Sequence, residues 1–294
     1  SHERSIYPAN PYPAPKIPAG LTSPSAVVAL PPSELCIADT ANDLVRFVDA
    51  ESGALRLVLG AERHIRLAGI PAHAERALVR LCSPMGLAVH GDYVYIADTF
   101  QHRVIKVRPA DGAQVAETGS HGELAGQFLF PQGLIVHRGL LYVCDSGNDR
   151  LQVLGAGNLA PRALFRGSAD APLRRPRAIA VHDERLYVSE YERFRIVVLS
   201  MAGELLNSIG GRHTPLGRLH SAFGIAIFCG RLVIAEGANC DGKPAGDGAG
   251  TLAWERSQRR VRVLTLEGAP LQLLRPVSSD VMLVDPRALH ACGD

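Results

Sequence analysis

The sequence predicts an all-β fold built from repeated four-stranded units, and three observations carry that expectation. The first is internal repetition. Ser23–Val48 reads SPSAVVALPPSELCIADTANDLVRFV, Ser83–Val107 reads SPMGLAVHGDYVYIADTFQHRVIKV, Pro131–Leu154 reads PQGLIVHRGLLYVCDSGNDRLQVL, and Pro176–Leu199 reads PRAIAVHDERLYVSEYERFRIVVL. A fifth copy starts as SAFGIAIFCGRLVIAEG at Ser221 and resumes as RRVRVLTLEG at Arg259. The second is spacing: Asp39, Asp98, Asp145, Glu190 and Glu236 end equivalent runs and lie 59, 47, 45 and 46 residues apart. The third is alternation of apolar and polar residues in runs such as YVYIAD and RVIKV, separated by clusters of Gly, Pro, Asn and Asp, as in short antiparallel strands joined by tight turns. Four such strands per unit of about 45 residues describe a propeller blade.

Each unit opens with an apolar strand, turns, and continues in an alternating strand that ends on the acidic residue. A polar turn leads into a third strand, and a fourth run such as ALRLVLG (54–60) or ELLNSIG (204–210) completes the blade. Near the start of the first strand stand Ala26, Gly86, Gly133, Ala178 and Gly224, small residues that let the strands crowd near a central axis. After the fifth unit, VMLVDPRALHACGD (281–294) can be laid on AIAVHDERLYVSE, which places Met282–Val284 in a first strand and Leu289–Cys292 in a second. An open ring edge invites aggregation and needs a partner. The expectation is six blades with a composite or incomplete last blade, Arg4–Tyr7 being a candidate closing strand, and five blades is the alternative. Residues 1–22 are then a Pro-rich N-terminal segment and residues 23–294 the propeller.

The repeats resemble the NHL family, whose blades carry a Pro-x-Gly opening, a Tyr-Val-Ala-Asp strand ending and an Asn-x-Arg turn. Pro84, Gly86, Tyr95, Ala97, Asp98 and Arg103 match, as do Pro131, Gly133, Tyr142, Asp145, Asn148 and Arg150, and the resemblance runs over residues 23 to 275. It implies a six-bladed scaffold that binds proteins or RNA, with a lyase branch as the enzymatic exception.

Composition fits a globular chain: 294 residues, 47% hydrophobic, 20% charged, net charge +2. The sequence has no apolar run of about 18 residues, and its N-terminal stretch lacks the apolar centre of a signal peptide. The six cysteines show no CxxC pair, so they are read as reduced, with Cys36 and Cys144 as small buried strand residues. The expectation is a cytoplasmic protein with no membrane contact. The chain begins at serine, which fits a domain of a longer protein or a processed start.

A charge that recurs in every blade serves something present in every blade. Asp98 with Arg103, Asp145 with Arg150 and Glu190 with Arg195 are therefore read as structural pairs tying the turn between second and third strands. His90, His137 and His182 follow the first strand at equivalent positions and are read as turn residues, too far apart to share a zinc ion. The channel-mouth positions of the five units hold Ser25, Met85, Gln132, Arg177 and Phe223, which do not make a calcium cage of six to eight oxygens. Nucleophile-elbow, phosphate-loop and zinc-protease motifs are absent. The expectation is a non-enzyme with no cofactor and no metal.

What does not repeat gathers on one face, where the fourth-to-first connectors and second-to-third turns emerge. Residues 237–258 form a Gly-rich insertion holding the single tryptophan, Trp254, and such a loop is either functional or disordered. The connectors are basic, with His64, Arg80, Arg166 and His213 beside the candidate partner-binding residues Arg63, Arg66, Arg76, Arg174, Arg175, Arg177, Arg212, Arg218, Trp254 and Arg256. The sequence thus points to a protein-binding scaffold, part of a larger protein or assembly. An RNA-binding domain is the alternative, against which stand the small net charge and the 5% aromatic content. A metal-dependent lyase or hydrolase is the second alternative.

Overall fold

The computed structural model describes residues 20–60, 79–211, 214, 216, 219, 222–236 and 260–274. These residues form twenty strands in five four-stranded antiparallel sheets. Blade 1 holds β1 (Ala26–Leu30), β2 (Glu34–Asp39), β3 (Leu44–Asp49) and β4 (Leu55–Leu59). Blade 2 holds β5 (Pro84–His90), β6 (Tyr93–Asp98), β7 (Arg103–Val107) and β8 (Gln114–Thr118). Blade 3 holds β9 (Pro131–His137), β10 (Leu140–Asp145), β11 (Arg150–Gly155) and β12 (Pro161–Phe165). Blade 4 holds β13 (Pro176–His182), β14 (Arg185–Glu190), β15 (Arg195–Ser200) and β16 (Leu205–Gly210). Blade 5 holds β17 (Ala222–Phe228), β18 (Arg231–Glu236), β19 (Arg260–Thr265) and β20 (Pro270–Leu274). Within every sheet the strands pair in chain order.

The described residues therefore make five blades, the alternative count, and not six. The physical reason is that each of the five repeats supplies all four of its own strands. Even the fifth does so, because β18 and β19 pair from Glu236↔Arg260 to Arg231↔Thr265 across the sequence interruption. The stretches expected to build a composite blade, Arg4–Tyr7, Met282–Val284 and Leu289–Cys292, lie outside the described residues.

Tight turns set the register of the first two strands. Arg138 and Gly139, Asp183 and Glu184, and Cys229 and Gly230 all have positive φ, the type I′ geometry whose twist matches that of the flanking strands. Alternation along the strands then gives each sheet two apolar faces, and successive blades bury them against each other. Val28, Cys36, Val45 and Phe47 of blade 1 pack on Leu87, Val94, Ile96, Ile105 and Val107 of blade 2. Tyr95, Ala97 and Val104 meet Leu134, Leu141 and Val143 at the next junction, and Tyr142, Cys144 and Leu151 meet Ile179, Leu186 and Val188 at the one after. Tyr187, Ile196 and Val198 meet Ile225, Leu232 and Ile234 between blades 4 and 5. Burial pushes the Cys36 and Cys144 thiols well above the ordinary value, consistent with their place as apolar filler.

Near the axis the innermost strands approach so closely that two positions require glycine. A β-carbon on Gly86 would lie 2.0 Å from the carbonyl oxygen of Gln132, and one on Gly133 would lie 2.4 Å from that of Arg177. Both obstacles are backbone of the following blade, so neither can rotate away.

On the connector face, neighbouring blades are clasped by a repeated hydrogen bond. Asp43, His102 and Asp149 each end the short 3-10 turn after a second strand and hold a left-handed backbone. Their side chains accept the backbone N–H of Ser83 (2.6 Å), Phe130 (3.2 Å) and Arg175 (2.8 Å) in the next blade. The Thr40 and Thr99 hydroxyls add to this by donating to the carbonyls of Pro84 and Pro131, each at 2.7 Å.

Two predictions follow from these contacts. Gly133→Ala should destabilise the ring by about 1–3 kcal/mol, the usual cost of overpacking. Urea denaturation checks it, and an unchanged midpoint would refute the close approach. The second concerns His102, whose pKa lies below the ordinary histidine value through burial and the neighbouring His121. The unfolded chain takes up a proton below about pH 6.5 that the folded ring resists. Stability from this group is thus held above that pH and lost as the pH falls through it toward the lower folded value. His102→Asn keeps an acceptor in a residue that tolerates positive φ, so its melting temperature should drop less than the wild type's between pH 7 and pH 5. Equal drops would refute the role of His102.

Candidate functional site

The recurring acidic residues are buried at the end of each second strand, with Asp39, Asp98, Asp145 and Glu236 fully inaccessible and Glu190 at 1%. In four blades the same carboxylate accepts the backbone N–H of the connector that leads into its own blade. The donors are Thr22, Cys82 and Leu129, each at 2.7 Å, and Arg174 at 2.6 Å. Its other oxygen takes an arginine. Arg103 reaches Asp98 at 2.9 Å, Arg150 reaches Asp145 at 2.7 Å, and Arg195 reaches Glu190. In blades 1 and 5 the guanidinium comes from two residues further along the third strand: Arg46 on Asp39 and Arg262 on Glu236, each at 2.6 Å. Side chains two apart share a sheet face, so either position serves the same carboxylate. Blade 3 fills both, adding Gln152 Nε2 at 3.0 Å to Arg150. Burial raises the pKa of Asp98 and Glu190 above the ordinary carboxylate value against the lowering by these donors. These groups hold the connectors in place, and with their bonds internal they are scaffold.

The axis carries a channel of about 450 Å³, lined by β1, β5, β9, β13 and β17. Ser25, Met85, Gln132, Arg177 and Phe223 stand at its connector-face mouth, as the equivalent sequence positions predict, while Leu87, Leu134, Ile179 and Ile225 line it further in. The Ser25 hydroxyl donates to the Met85 carbonyl at 2.8 Å and lies 2.5 Å from the Thr40 hydroxyl. The Arg177 guanidinium stacks 4.0 Å from the centre of the Phe223 ring and 5.4 Å from that of Tyr191. Among the described residues no three His, Cys, Asp or Glu side chains gather as a metal ion would need. His90, His137 and His182 end β5, β9 and β13, and His137 contacts Glu184 of the next blade at 3.0 Å.

No protein-family profile matches the chain. It is 29% identical over 158 residues to NHL repeat-containing protein 2 of Bos taurus and 28% identical over 160 residues to that of Gallus gallus. Each match takes in 46% of this chain and 21% of the relative, so the chain matches about a fifth of these relatives' length. Over the matched residues the repeats are similar to those of these NHL repeat-containing relatives. Among solved structures it is similar to a Streptogramin B lyase at TM-score 0.58 and 13% identity, covering 95% of this chain and 76% of that one. It is also similar to Kuenenia stuttgartiensis hydrazine synthase at TM-score 0.55 and 15% identity, covering 85% and 65%. At such identities the likeness is one of fold.

Three of the ten candidate partner-binding residues are described. Arg174 and Arg175 lie side by side in the connector leading into blade 4, half-exposed, and both are already paired: Arg174 with Asp149 at 2.8 Å and Arg175 with Glu192 at 3.1 Å. That tempers the expected basic patch, because acids of the adjacent turns offset part of its charge. Arg177 stands at the connector-face mouth of the channel. Arg63, Arg66, Arg76, Arg212, Arg218, Trp254 and Arg256 lie outside the described residues.

Exposed apolar residues on the connector face escaped the sequence reading, two of them more than half exposed. Phe100, in the turn after β6, is 52% exposed, and Leu124, in the connector leading into blade 3, is 71% exposed. The Phe100 ring lies edge-on to Phe130, with centroids 5.5 Å apart. A signal for Phe100 was present, since the equivalent turns hold Ala41, Gly147 and Glu192 where this one has an aromatic residue.

The scaffold assignment makes a graded prediction. Asp145→Ala should cost about 3–5 kcal/mol, because Arg150 is fully buried and would be left as an uncompensated charge. Asp98→Ala should cost less, because Arg103 keeps 22% of its side chain exposed. Chemical denaturation of both variants checks the order, and the reverse order would refute it.

Proposed function

We propose that this NHL-type propeller is a non-catalytic scaffold that binds a protein partner through its connector face. The observation that carries the reading is the pair of exposed apolar side chains there, Phe100 and Leu124, on a face that also presents Arg174 and Arg175 half-exposed. A buried aromatic or aliphatic anchor ringed by polar groups is how protein interfaces concentrate their energy. Ion-paired arginines fit this arrangement as rim residues, which set on-rate and specificity more than affinity. In this reading Arg63, Arg66, Arg76, Arg212, Arg218, Trp254 and Arg256 extend the surface, and Arg177 anchors its centre. The curated relatives named for NHL repeats support a general interaction role.

Affinity capture from the native source, with and without nuclease, tests the proposal. A protein captured by the wild-type chain should survive nuclease treatment. Phe100→Ser combined with Leu124→Ser should weaken its binding on the order of tenfold or more while the melting temperature holds. Arg174→Gln with Arg175→Gln should mainly flatten the salt dependence. Capture lost on nuclease treatment would replace this reading with RNA binding, and capture indifferent to all four substitutions would refute this surface.

A further inference from the structure

We propose that the connector between blades 2 and 3 is an acid-released element, in which protonation of His102 frees Phe130 and dismantles the aromatic patch around Phe100. This deepens the partner-binding reading by naming how that surface is regulated, and it rests on that reading for its use. Asp43, His102 and Asp149 occupy one repeat position, and each accepts the backbone N–H of a connector residue in the next blade: Ser83, Phe130 and Arg175. All three connector residues hold a positive φ, of 50°, 52° and 45°. The bond and the backbone it fixes are therefore shared, and only the chemistry of the acceptor differs. Free carboxylates take up a proton near about pH 4 and free imidazoles near about pH 6.5. Of these three described clasps, the one at His102 is the one whose acceptor is removed by acid close to neutrality.

The Phe130 N–H reaches His102 through Nδ1, which accepts only as the lone pair of a neutral imidazole with its proton on Nε2. On the protonated ring Nδ1 carries a hydrogen, so two donors would face each other and the bond is lost. Phe130 then has reason to move, because a left-handed backbone is costly for a large aromatic residue and persists only where its surroundings impose it. Its ring lies 4.8 Å from that of His102 and 5.5 Å from that of Phe100, between centres, so turning the backbone carries the ring away from Phe100. Leu129 stays anchored, its N–H on Asp145 and its carbonyl on the Gly147 N–H, both at 2.7 Å, so the release is local and the blades stay joined. Three sets of charged or titratable groups surround His102. His121 of the connector stands edge-on to it, with ring centres 4.9 Å apart. Asp145 at the end of β10 favours the imidazolium, and it is already engaged by Arg150 and Gln152. In its own blade, the adjacent Arg103 turns to Asp98 and Glu117. Burial and His121 oppose the proton more than Asp145 attracts it, so His102 titrates below the ordinary histidine value. The clasp is thus complete above about pH 6.5 and lost as the pH falls through the lower folded value.

Amide hydrogen exchange of the full chain at pH 7 and pH 5, each corrected for the intrinsic exchange rate, tests the device, with the Ser83 and Arg175 amides as internal controls. Protection of the Phe130 amide should fall on the order of tenfold at pH 5, as expected for a lost hydrogen bond, while both controls hold. The NOE between the Phe100 and Phe130 rings should vanish in step. His102→Asp supplies the acceptor of the sister blades and should keep Phe130 protected at both pH values. Should that variant disturb folding, His102→Asn offers an acceptor that does not titrate and should do the same. His121→Gln should leave the response in place. Unchanged protection at Phe130, an equal loss at all three amides, a ring contact that persists at pH 5, a response that survives substitution of His102, or one that disappears in His121→Gln would each overturn the proposal. No partner enters the measurement, so failure of capture at Phe100 and Leu124 would not imitate any of these outcomes.

Discussion

The ring depends on one buried interaction repeated around it: a carboxylate at the end of each second strand that holds an arginine and, in four described blades, a backbone N–H of the lead-in connector. A charged group fully removed from water is tolerated only when paired and hydrogen-bonded, and here every described blade meets that condition. Because the N–H donor lies in the connector and the arginine in the third strand, a single side chain fixes three pieces of one blade. Those connectors then offer their own N–H groups to the preceding blade, through Asp43, His102 and Asp149. Local pairing within a blade and the clasp between blades are thus mechanically continuous.

This arrangement also separates residues that hold the ring from residues that are available to use it. Asp98, Asp145 and Glu190 resemble catalytic groups in their burial and raised or strongly paired state, yet their bonds are all internal and recur with the fold. The connector face behaves differently. There the blades diverge, with Phe100 and Leu124 exposed and His102 standing where two other blades carry aspartate. In a repeat protein the scaffold is written in what is shared, and recognition in what each unit changes.

Much of the fold was legible in the sequence because strand alternation, turn residues and a fixed period are local properties. The strand order within each blade, the structural role of the acidic residues and the burial of Cys36 and Cys144 all follow from them. The glycines near the axis were legible too, since Gly86 and Gly133 stand where two backbones approach within a β-carbon's radius. The blade count was not, because a ring closes through contacts between distant segments that no local period encodes.

What the sequence by itself determined was the blade: four alternating strands, tight turns and an acid that needs a partner. Which arginine answers that acid was decided only in the tertiary structure, since Arg46 and Arg262 reach it through a sheet face and not through the spacing seen in blades 2 to 4. The structure likewise decided that Arg174 and Arg175 meet Asp149 and Glu192, which reduces a basic patch that looked uniform along the chain. It also set the guanidinium of Arg177, already a channel-mouth position in the sequence, against the rings of Phe223 and Tyr191. Each of these outcomes depends on side chains from separate blades converging in space, and a linear pattern records the residues without recording that convergence.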